Sequence, residues 1–310
     1  MEKLQNKVVL SANVASALEK GLPVVALEST VLTHGLPYPQ NLSVSRVLEE
    51  ILVNEGVTPA TIIVLEGIAH IGLEANQVED LAPRFKAPGS FRKLGMRDLA
   101  LAFTQGHSGG TTVSATMKLA HLAGIEVFAT GGIGGVHTSW REDLDISSDL
   151  TALAEIPVAV VSAGCKAFLD IRSTLEYLET LAVPVLGWQT DRFPKFYVPS
   201  SEHAIDRIDT AEEFALFWKT HLTMGGKGLL VANPIPAKNA LSPDQIEAEL
   251  RSGVISAKTQ GITGKDFTPF VLDYLAKHTK GGSVEANLAL LKNNVSLAAS
   301  LAKALVSKEG

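Results

Sequence analysis

The chain has 310 residues, 46% of them hydrophobic, and a formal net charge of −6, a composition that suffices for one large α/β domain or two small ones. Its single cysteine excludes an intrachain disulfide and a cysteine-based zinc site, and the evenly spread charge argues against nucleic acid or an anionic membrane as partner. A polar N-terminal stretch, and no run of about 18 apolar residues, predict neither a secretion signal nor a membrane span. We therefore expect a cytoplasmic protein with a small-molecule partner.

Short apolar runs rich in β-branched residues predict strands at 24–27, 61–65, 127–130, 158–161, 183–186 and 228–232. Helical patterns lie between them at 44–54, 111–123, 167–181 and 211–222, and from about residue 242 onward only helices are predicted, at 243–260, 269–278 and 283–308. The alternation predicts an α/β/α sandwich: a mostly parallel or mixed central sheet with helices on both faces and a helical C-terminal region. We expect a single domain over 1–310, with the C-terminal helices as a cap. The proline-containing stretch 79–97 is predicted to be a long functional loop or lid.

A glycine-rich segment, TGGIGGVH, follows the third predicted strand and leads into acids that include Asp143, Asp145 and Asp149. Its spacing does not match the G-x-G-x-x-G of dinucleotide-binding proteins, so we do not expect that cofactor. Carboxylate oxygens suit magnesium or manganese, which often keep several waters. The alternative interpretation is a solvated acidic loop, because surface acids are common.

The segment GHSGGTTVS at 106–114 directly precedes a strong helical pattern. Backbone N–H groups at the start of a helix suit a phosphate group, although the lysine of a nucleoside-triphosphate loop is missing. A glycine turn with Thr111 as the helix cap explains the segment equally well. Both interpretations stay open at this point.

Glu28 and Lys166 each follow an apolar strand. Partial burial would favour the neutral amine of Lys166, which attack on a sugar carbonyl requires, whereas most lysines are solvated surface groups. Glu28 could act as a general acid or serve as a structural acid at a strand end. Cys165 lacks an evident histidine or cationic partner, so we interpret it as a small core residue. Together these features indicate an enzyme that acts on a sugar phosphate.

Six segments carry a family resemblance: VVALESTVLTHGLPYPQN at 24–41, FATGGIGGVH at 128–137, DISSDL at 145–150, AGCKAFLD at 163–170, TLEYLET at 174–180 and VANPIP at 231–236. On these motifs the chain closely resembles the pseudouridine-5'-phosphate glycosidases, also called pseudouridylate synthases, which are similar to the indigoidine synthase A proteins. The resemblance extends from about residue 24 to residue 305, with the motifs in the same order.

The resemblance implies reversible cleavage of the carbon–carbon glycosidic bond of pseudouridine 5'-phosphate to uracil and ribose 5-phosphate, in pseudouridine catabolism. It implies that Lys166 is the nucleophile that forms a Schiff base with ring-opened ribose, and that Glu28 protonates the ring oxygen. It also implies a homotrimer and a manganese ion, replaceable by magnesium, that Asp145 holds mostly through water. The implied substrate-binding residues are Lys93, Val113, Ser147, Ser148, Asp149 and Asn287.

Two other functions stay open. One is a Schiff-base lyase or aldolase that acts on another sugar phosphate, and the other is a sugar-phosphate-binding regulator without catalysis. The presence of both Glu28 and Lys166 argues against the regulator.

Overall fold

The computed structural model describes residues 7–35, 38–85, 87, 89–262, 264 and 267–307, without the side chains of Ala75, Asn76, Ala82, Glu142 and Asp143. Asp143 of the predicted acidic run therefore lies outside the described side chains. Within these ranges, no helix has both the length and the apolar character needed to cross a membrane.

The strands of the described residues are β1 (Val8–Leu10), β2 (Val24–Glu28), β3 (Thr58–Leu65), β4 (Ile68–Ile71), β5 (Arg92–Leu94), β6 (Gly109–Thr111), β7 (Val127–Ala129), β8 (Val136–His137), β9 (Ala159–Ser162), β10 (Leu169–Asp170), β11 (Val185–Trp188), β12 (Asp206–Ile208) and β13 (Leu229–Ala232). The six strands predicted from β-branched runs are all present, as β2, β3, β7, β9, β11 and β13.

One large sheet contains every strand except β8 and β10, in the order β1-β4-β3-β2-β7-β9-β13-β11-β12, with β6 paired to β3 and β5 paired to β6. Pairing is parallel except where β3 meets β4 and β6. All residues of β7, β9 and β13 are buried, so both faces of the sheet are covered at its centre. The predicted mixed α/β/α sandwich is confirmed.

The helices are α1 (Ala12–Glu19), α2 (Gln40–Asn54), α3 (Ala75–Phe85), α4 (Leu99–Gln105), α5 (Val113–Leu122), α6 (Trp140–Asp143), α7 (Ser148–Glu155), α8 (Ile171–Thr180), α9 (Ala211–Thr223), α10 (Pro243–Thr259), α11 (Phe267–His278) and α12 (Gly282–Val306). The predicted helices at α2, α5, α8 and α9 are present, and the C-terminal region is helical as expected.

The last helix, α12, belongs to the same core as the sheet. It packs directly on β2, β7 and β9 as well as on α2 and α9. Leu290, Leu297 and Leu301 are among its buried side chains, and each such burial stabilises the fold by about 1.5–3 kcal/mol. The cluster of buried apolar residues that they join extends from Val14 to Ala302. The α12 helix therefore contacts the strands whose ends hold the functional residues.

The stretch 79–97 is more regular than the predicted loop. It completes α3, which includes Pro83, and then forms β5 alongside β6. Leu81 and Phe91 pack with Ile63 in a small second cluster. The prediction was wrong because β5 reads Arg-Lys-Leu and its partner β6 reads Gly-Gly-Thr, so neither carries the apolar, β-branched run from which the other strands were predicted. Lys86 and Pro88 of this stretch lie outside the described residues.

Candidate active site

Adjacent parallel strands bring the two predicted catalytic residues to one side of the sheet. Leu27 of β2 pairs with Ala129 of β7, so the next residues, Glu28 and Thr130, stand side by side. On the other side of β7 runs β9, whose C-terminal extension carries Lys166. The carboxyl ends of parallel strands are where open α/β sheets bind ligands.

A cavity of about 110 Å³, here called the strand-end cavity, lies at this position. Five of the nine predicted site residues line it: Glu28, Lys93, Val113, Lys166 and Asn287. Aromatic and apolar side chains, including Phe168, Phe196, Tyr197, Pro269 and Leu272, complete its wall. A few charged and polar groups among apolar and aromatic side chains are typical of a small-molecule site.

The strand-end cavity adjoins a larger groove of about 910 Å³. The two share His34, Tyr197, Pro269 and Asn287 among their lining residues. Farther out, the groove is lined by α3 and the residues that follow it, where the guanidinium of Arg84 lies 4.8 Å from the ring centre of Phe91. A ligand larger than the strand-end cavity can therefore extend into the groove.

Two threonine hydroxyls hold the carboxyl group of Glu28. Thr30 donates to its Oε2 and Thr130 donates to its Oε1. Thr30 is two residues away in the chain, whereas Thr130 follows the neighbouring strand β7. These two hydrogen bonds fix the position of the carboxyl group. Glu28 is only half-buried, so it remains part of the cavity wall.

Lys166 is placed by a tightly packed turn after β9. Its backbone N–H donates to the carbonyl of Ile133 at 3.0 Å, which ties the turn to the glycine-rich loop. Gly164 has a φ of +86°, and a Cβ there would lie 2.6 Å from the carbonyl oxygen of Pro194, so only glycine fits. The side chain of Lys166 is half-buried and reaches the strand-end cavity.

Cys165, beside Lys166, is a core residue as predicted. Its side chain is buried, and this burial raises the pKa of the thiol to about 12. The thiolate is the reactive form of cysteine, so the Cys165 thiol is inert near neutral pH.

Lys93 and the start of α5 lie together in the cavity wall. Lys93 is on β5, opposite Gly110 of β6, and the chain then enters α5 at Val113. The helix is capped by Thr112, whose side chain makes no capping hydrogen bond, while Thr111 lies in β6 and donates to the carbonyl of Ile62 at 2.7 Å. The alternative that Thr111 caps the helix is therefore wrong. An ammonium group beside a helix N-terminus suits an anion.

Asp149 is buried and serves as a link between two segments. Its Oδ1 accepts the N–H of Ser114 at 3.0 Å and its Oδ2 accepts the N–H of Gly134 at 2.8 Å. Ser147 caps α7, and the hydroxyl of Ser148 lies 3.3 Å from that of Ser114. These three predicted substrate contacts are absent from the lining of the strand-end cavity, and their direct contact with substrate stays a prediction.

Asp145 lies on the surface beside His137. Its side chain is 42% exposed, and its Oδ2 is 3.7 Å from Nε2 of His137. Among the side chains that the structure describes, no group of three or more histidines, cysteines and acids is placed to hold a metal ion. One half-exposed carboxylate fits an oxygen-preferring ion only if water supplies most of its ligands.

Sequence reasoning missed Thr30, Thr130 and Asn294. Asn294 is fully buried on α12, and its Nδ2 donates to the backbone carbonyl of Thr130 at 2.8 Å. The signals that point to these residues are a threonine shortly after each of the strands β2 and β7 and an asparagine inside an apolar helical pattern.

The fold and the cavity define an α/β/α protein that binds a small ligand at the carboxyl ends of its parallel strands. The chain belongs to the family described as Indigoidine synthase A like protein, whose sequence profile matches residues 13–304. This match confirms the family expected from the sequence motifs.

Curated relatives match over nearly their whole length. Pseudouridine-5'-phosphate glycosidase 2 of Rhizobium johnstonii is 49% identical over 95% of this chain and 95% of its own. Pseudouridine-5'-phosphate glycosidase of Streptomyces griseus subsp. griseus is 48% identical over 96% of this chain and 91% of its own.

Two crystal structures share the fold. The prealnumycin C-glycosynthase AlnA, in complex with ribulose 5-phosphate, has a TM-score of 0.87 and 33% identity, over 96% of this chain and 97% of its own. An indigoidine synthase A (IdgA)-like protein of Thermotoga maritima has a TM-score of 0.87 and 35% identity, over 97% of each chain.

Proposed function

We propose that this chain is an enzyme that reversibly cleaves the carbon–carbon glycosidic bond of pseudouridine 5'-phosphate to uracil and ribose 5-phosphate. The observation that carries the proposal is the joint lining of one cavity by Glu28, Lys93 and Lys166. Near-full-length identity of 49% to a pseudouridine-5'-phosphate glycosidase supports the substrate. The ribulose 5-phosphate bound to the prealnumycin C-glycosynthase supports a sugar phosphate as the ligand class. Such an activity belongs to pseudouridine catabolism.

The chemical difficulty is that uracil is attached through carbon, so the bond has no oxygen or nitrogen leaving group to protonate. We propose that a bond from Nζ of Lys166 to C1' replaces the bond from C1' to the ring oxygen, which takes the proton of Glu28. The ribose is then open and attached to the enzyme. Covalent catalysis of this kind divides one difficult step into easier ones.

The carbon–carbon bond then breaks with help from the lysine nitrogen. Nζ first loses one of the protons that it carried into the bond with C1'. Its lone pair then forms the C=N bond of a Schiff base while the electron pair of the C1'–C5 bond moves to uracil, whose C5 takes up one proton in exchange. Water hydrolyses the Schiff base, which releases ribose 5-phosphate and restores the free amine of Lys166. The same steps in reverse join uracil to ribose 5-phosphate.

The remaining lining residues fit the binding of the phosphate and the sugar. Lys93 and the N-terminus of α5 at Val113 offer positive charge to the phosphate. Asn287 of α12 offers an amide group to the sugar or the base. Asp149 supports this wall through Ser114, the residue after Val113.

We propose that Asp145 holds manganese, or magnesium in its place, with water as the main source of ligands. The bound ion would supply positive charge. We also propose that the enzyme is a homotrimer and that it acts in the cytoplasm.

The test is release of uracil from pseudouridine 5'-phosphate, followed by its absorbance after chromatography. We expect turnover with this substrate and none with uridine 5'-phosphate, whose bond to C1' is from nitrogen. Lys166→Ala should abolish turnover, whereas the matched control Lys238→Ala, which removes an exposed lysine, should retain it. Wild-type turnover by Lys166→Ala would end the proposal.

A second candidate is a Schiff-base lyase or aldolase for another sugar phosphate, which the ribulose 5-phosphate complex of the similar C-glycosynthase favours. It predicts that Lys166 forms an adduct with a pentulose phosphate and that no uracil is released from pseudouridine 5'-phosphate. The substrate comparison therefore separates the two. A regulator without catalysis would bind the sugar phosphate and form neither product nor adduct.

A further inference from the structure

We infer that Thr130, held in place by Asn294 of α12, positions the carboxyl group of Glu28 for proton transfer. The inference rests on the proposed function, in which Glu28 is the acid. Neither Thr130 nor Asn294 is among the residues to which the family resemblance assigns a role.

The contact between Thr130 and Glu28 joins two strands. Thr30 also donates to Glu28, but it is only two residues away and moves with the same strand end. Thr130 is 102 residues away and reaches Oε1 of Glu28 from the end of β7. With both carboxyl oxygens engaged, rotation of the Glu28 side chain would break at least one of these hydrogen bonds.

These hydroxyls can serve both states of the acid. A hydroxyl donates one hydrogen and also accepts, so it can turn when Glu28 carries a proton. Once Glu28 has given that proton away, two donated hydrogen bonds stabilise the carboxylate that remains. The arrangement therefore favours proton release towards the substrate and fixes the direction in which Glu28 points.

Asn294 fixes the backbone that carries Thr130. Its Nδ2 donates to the carbonyl of Thr130 at 2.8 Å and lies 3.4 Å from that of Gly131, which also lines the cavity. Its Oδ1 accepts from Nδ2 of Asn233 at 3.0 Å. Asn233 follows β13, and its backbone N–H donates to the carbonyl of Ser162 at 2.8 Å. The amide of Asn294 thus connects α12 to the ends of β7, β9 and β13.

This buried amide is more polar than the packing of α12 requires. Its neighbours Leu290, Leu291 and Val295 are buried apolar residues, and a leucine at 294 would leave the carbonyl of Thr130 without this donor. Asn294 lies two helical turns after Asn287, which lines the cavity. The α12 helix therefore supplies both Asn287, which lines the cavity, and Asn294, which holds the backbone of Thr130.

The test begins with Thr130→Val, which removes the hydroxyl at nearly constant volume, and Thr130→Ser, which keeps it. Loss of one such hydrogen bond is expected to lower kcat about tenfold, with KM within about twofold, and Thr130→Ser should restore most of the loss. Glu28 and the other titratable groups that line the cavity, Lys93, Lys166, His34 and Tyr197, are unchanged in all variants.

Asn294→Ala tests the support. It should lower kcat by a similar factor. The control is Asn293→Ala, on the same helix, which loses a hydrogen bond of 3.0 Å from Asn293 to the carbonyl of Pro234. The kcat of this control should stay within about twofold of wild type. The double variant Thr130→Val/Asn294→Ala should lose no more than the larger single effect, because both act through one hydroxyl. If Asn294→Ala does not fold, Thr130→Val still decides the role of the Thr130 hydroxyl, because the backbone carbonyl to which Asn294 donates is unchanged in that variant.

The outcomes separate this inference from the proposed function. If Thr130→Val turns over the substrate as fast as the wild type, the positioning role is overturned and the proposed function is not affected. If the loss of kcat in the double variant equals the product of the two single losses, Asn294 acts independently of Thr130, and the link between them is overturned. A wild-type enzyme that releases no uracil from pseudouridine 5'-phosphate would reject the proposed function, and this inference with it.

Discussion

Glu28, at the end of β2, and Asp149, in the first turn of α7, are both acids whose two carboxyl oxygens accept hydrogen bonds, but from different kinds of donor. Both oxygens of Asp149 accept backbone N–H groups, from Ser114 and Gly134, in a buried position. Both oxygens of Glu28 accept hydrogen bonds from side-chain hydroxyls, and Glu28 lines a cavity. A backbone N–H can only donate, so Asp149 is held as a structural carboxylate. A hydroxyl can also accept, so Glu28 can carry and release a proton.

Among the changes that compare Glu28 with Asp149, the largest effect should come from Glu28→Gln, which keeps the shape of the side chain but removes the transferable proton. Turnover of pseudouridine 5'-phosphate should fall by about 10²–10⁴-fold, the usual contribution of a general acid. Ribose 5-phosphate, whose open form already has an aldehyde, should still form an adduct on Lys166 that borohydride can trap. Mass spectrometry of the protein measures this second property. Equal loss of both properties would mean that Glu28 supports Lys166 and does not act on the ring oxygen.

The next effect should be on stability. Asp149→Asn replaces one acceptor oxygen with an amide donor that faces a backbone N–H, so we expect a loss of about 2–3 kcal/mol in the free energy of unfolding. Asp145→Asn, at the exposed neighbour, should change it by less than about 0.5 kcal/mol. Urea unfolding followed by circular dichroism gives both values. Similar values for the two variants would remove the distinction between a structural and a surface acid.

A smaller loss is expected from Gly134→Ala. The added Cβ would lie 2.2 Å from Oγ of Ser147 and 2.8 Å from Oδ2 of Asp149, and such overpacking costs about 1–3 kcal/mol. At Gly131, in the same loop, the nearest atom to an added Cβ is Oδ1 of Asn287 at 3.4 Å, so Gly131→Ala is the matched control and should unfold close to wild type. Thermal unfolding of the two variants makes the comparison, and equal melting temperatures would contradict it.

The smallest effect should come from thiol reagents. Burial raises the pKa of Cys165 to about 12, so at pH 7–8 the folded enzyme should react with iodoacetamide far more slowly than the enzyme in urea, and it should keep its activity. The rate of mass gain measures the reaction. Rapid alkylation of the folded enzyme with loss of turnover would mean that Cys165 is accessible beside Lys166.

The sequence allowed prediction of the long, buried parts of the fold. The strands with β-branched runs, such as β3 and β9, are recognisable because burial on both faces requires continuous apolar residues. Strands β5, β6, β8 and β10 have only two or three residues each. Their conformation depends on the strands they pair with, which are distant in the chain.

The same limit applies to the candidate site. Glu28 and Lys166 could be found because Glu28 ends an apolar strand and Lys166 lies shortly after another, whereas the partnership of Thr130 with Glu28 spans 102 residues. Asn294 stands out as a polar residue in an apolar helix, but nothing local identifies the carbonyl of Thr130 as its acceptor. Local patterns therefore reveal which residues carry reactive groups, and only the fold reveals what holds them.

The central claim is that Lys166 bonds to the sugar while Glu28 serves as its acid, and trapping the intermediate tests it most directly. The enzyme is incubated with pseudouridine 5'-phosphate and manganese, reduced with borohydride, digested and mapped by mass spectrometry. We expect the mass of a reduced ribose phosphate on the peptide that contains Lys166, and on no other peptide. Uracil release without any adduct, or an adduct on Lys93 in place of Lys166, would contradict the account.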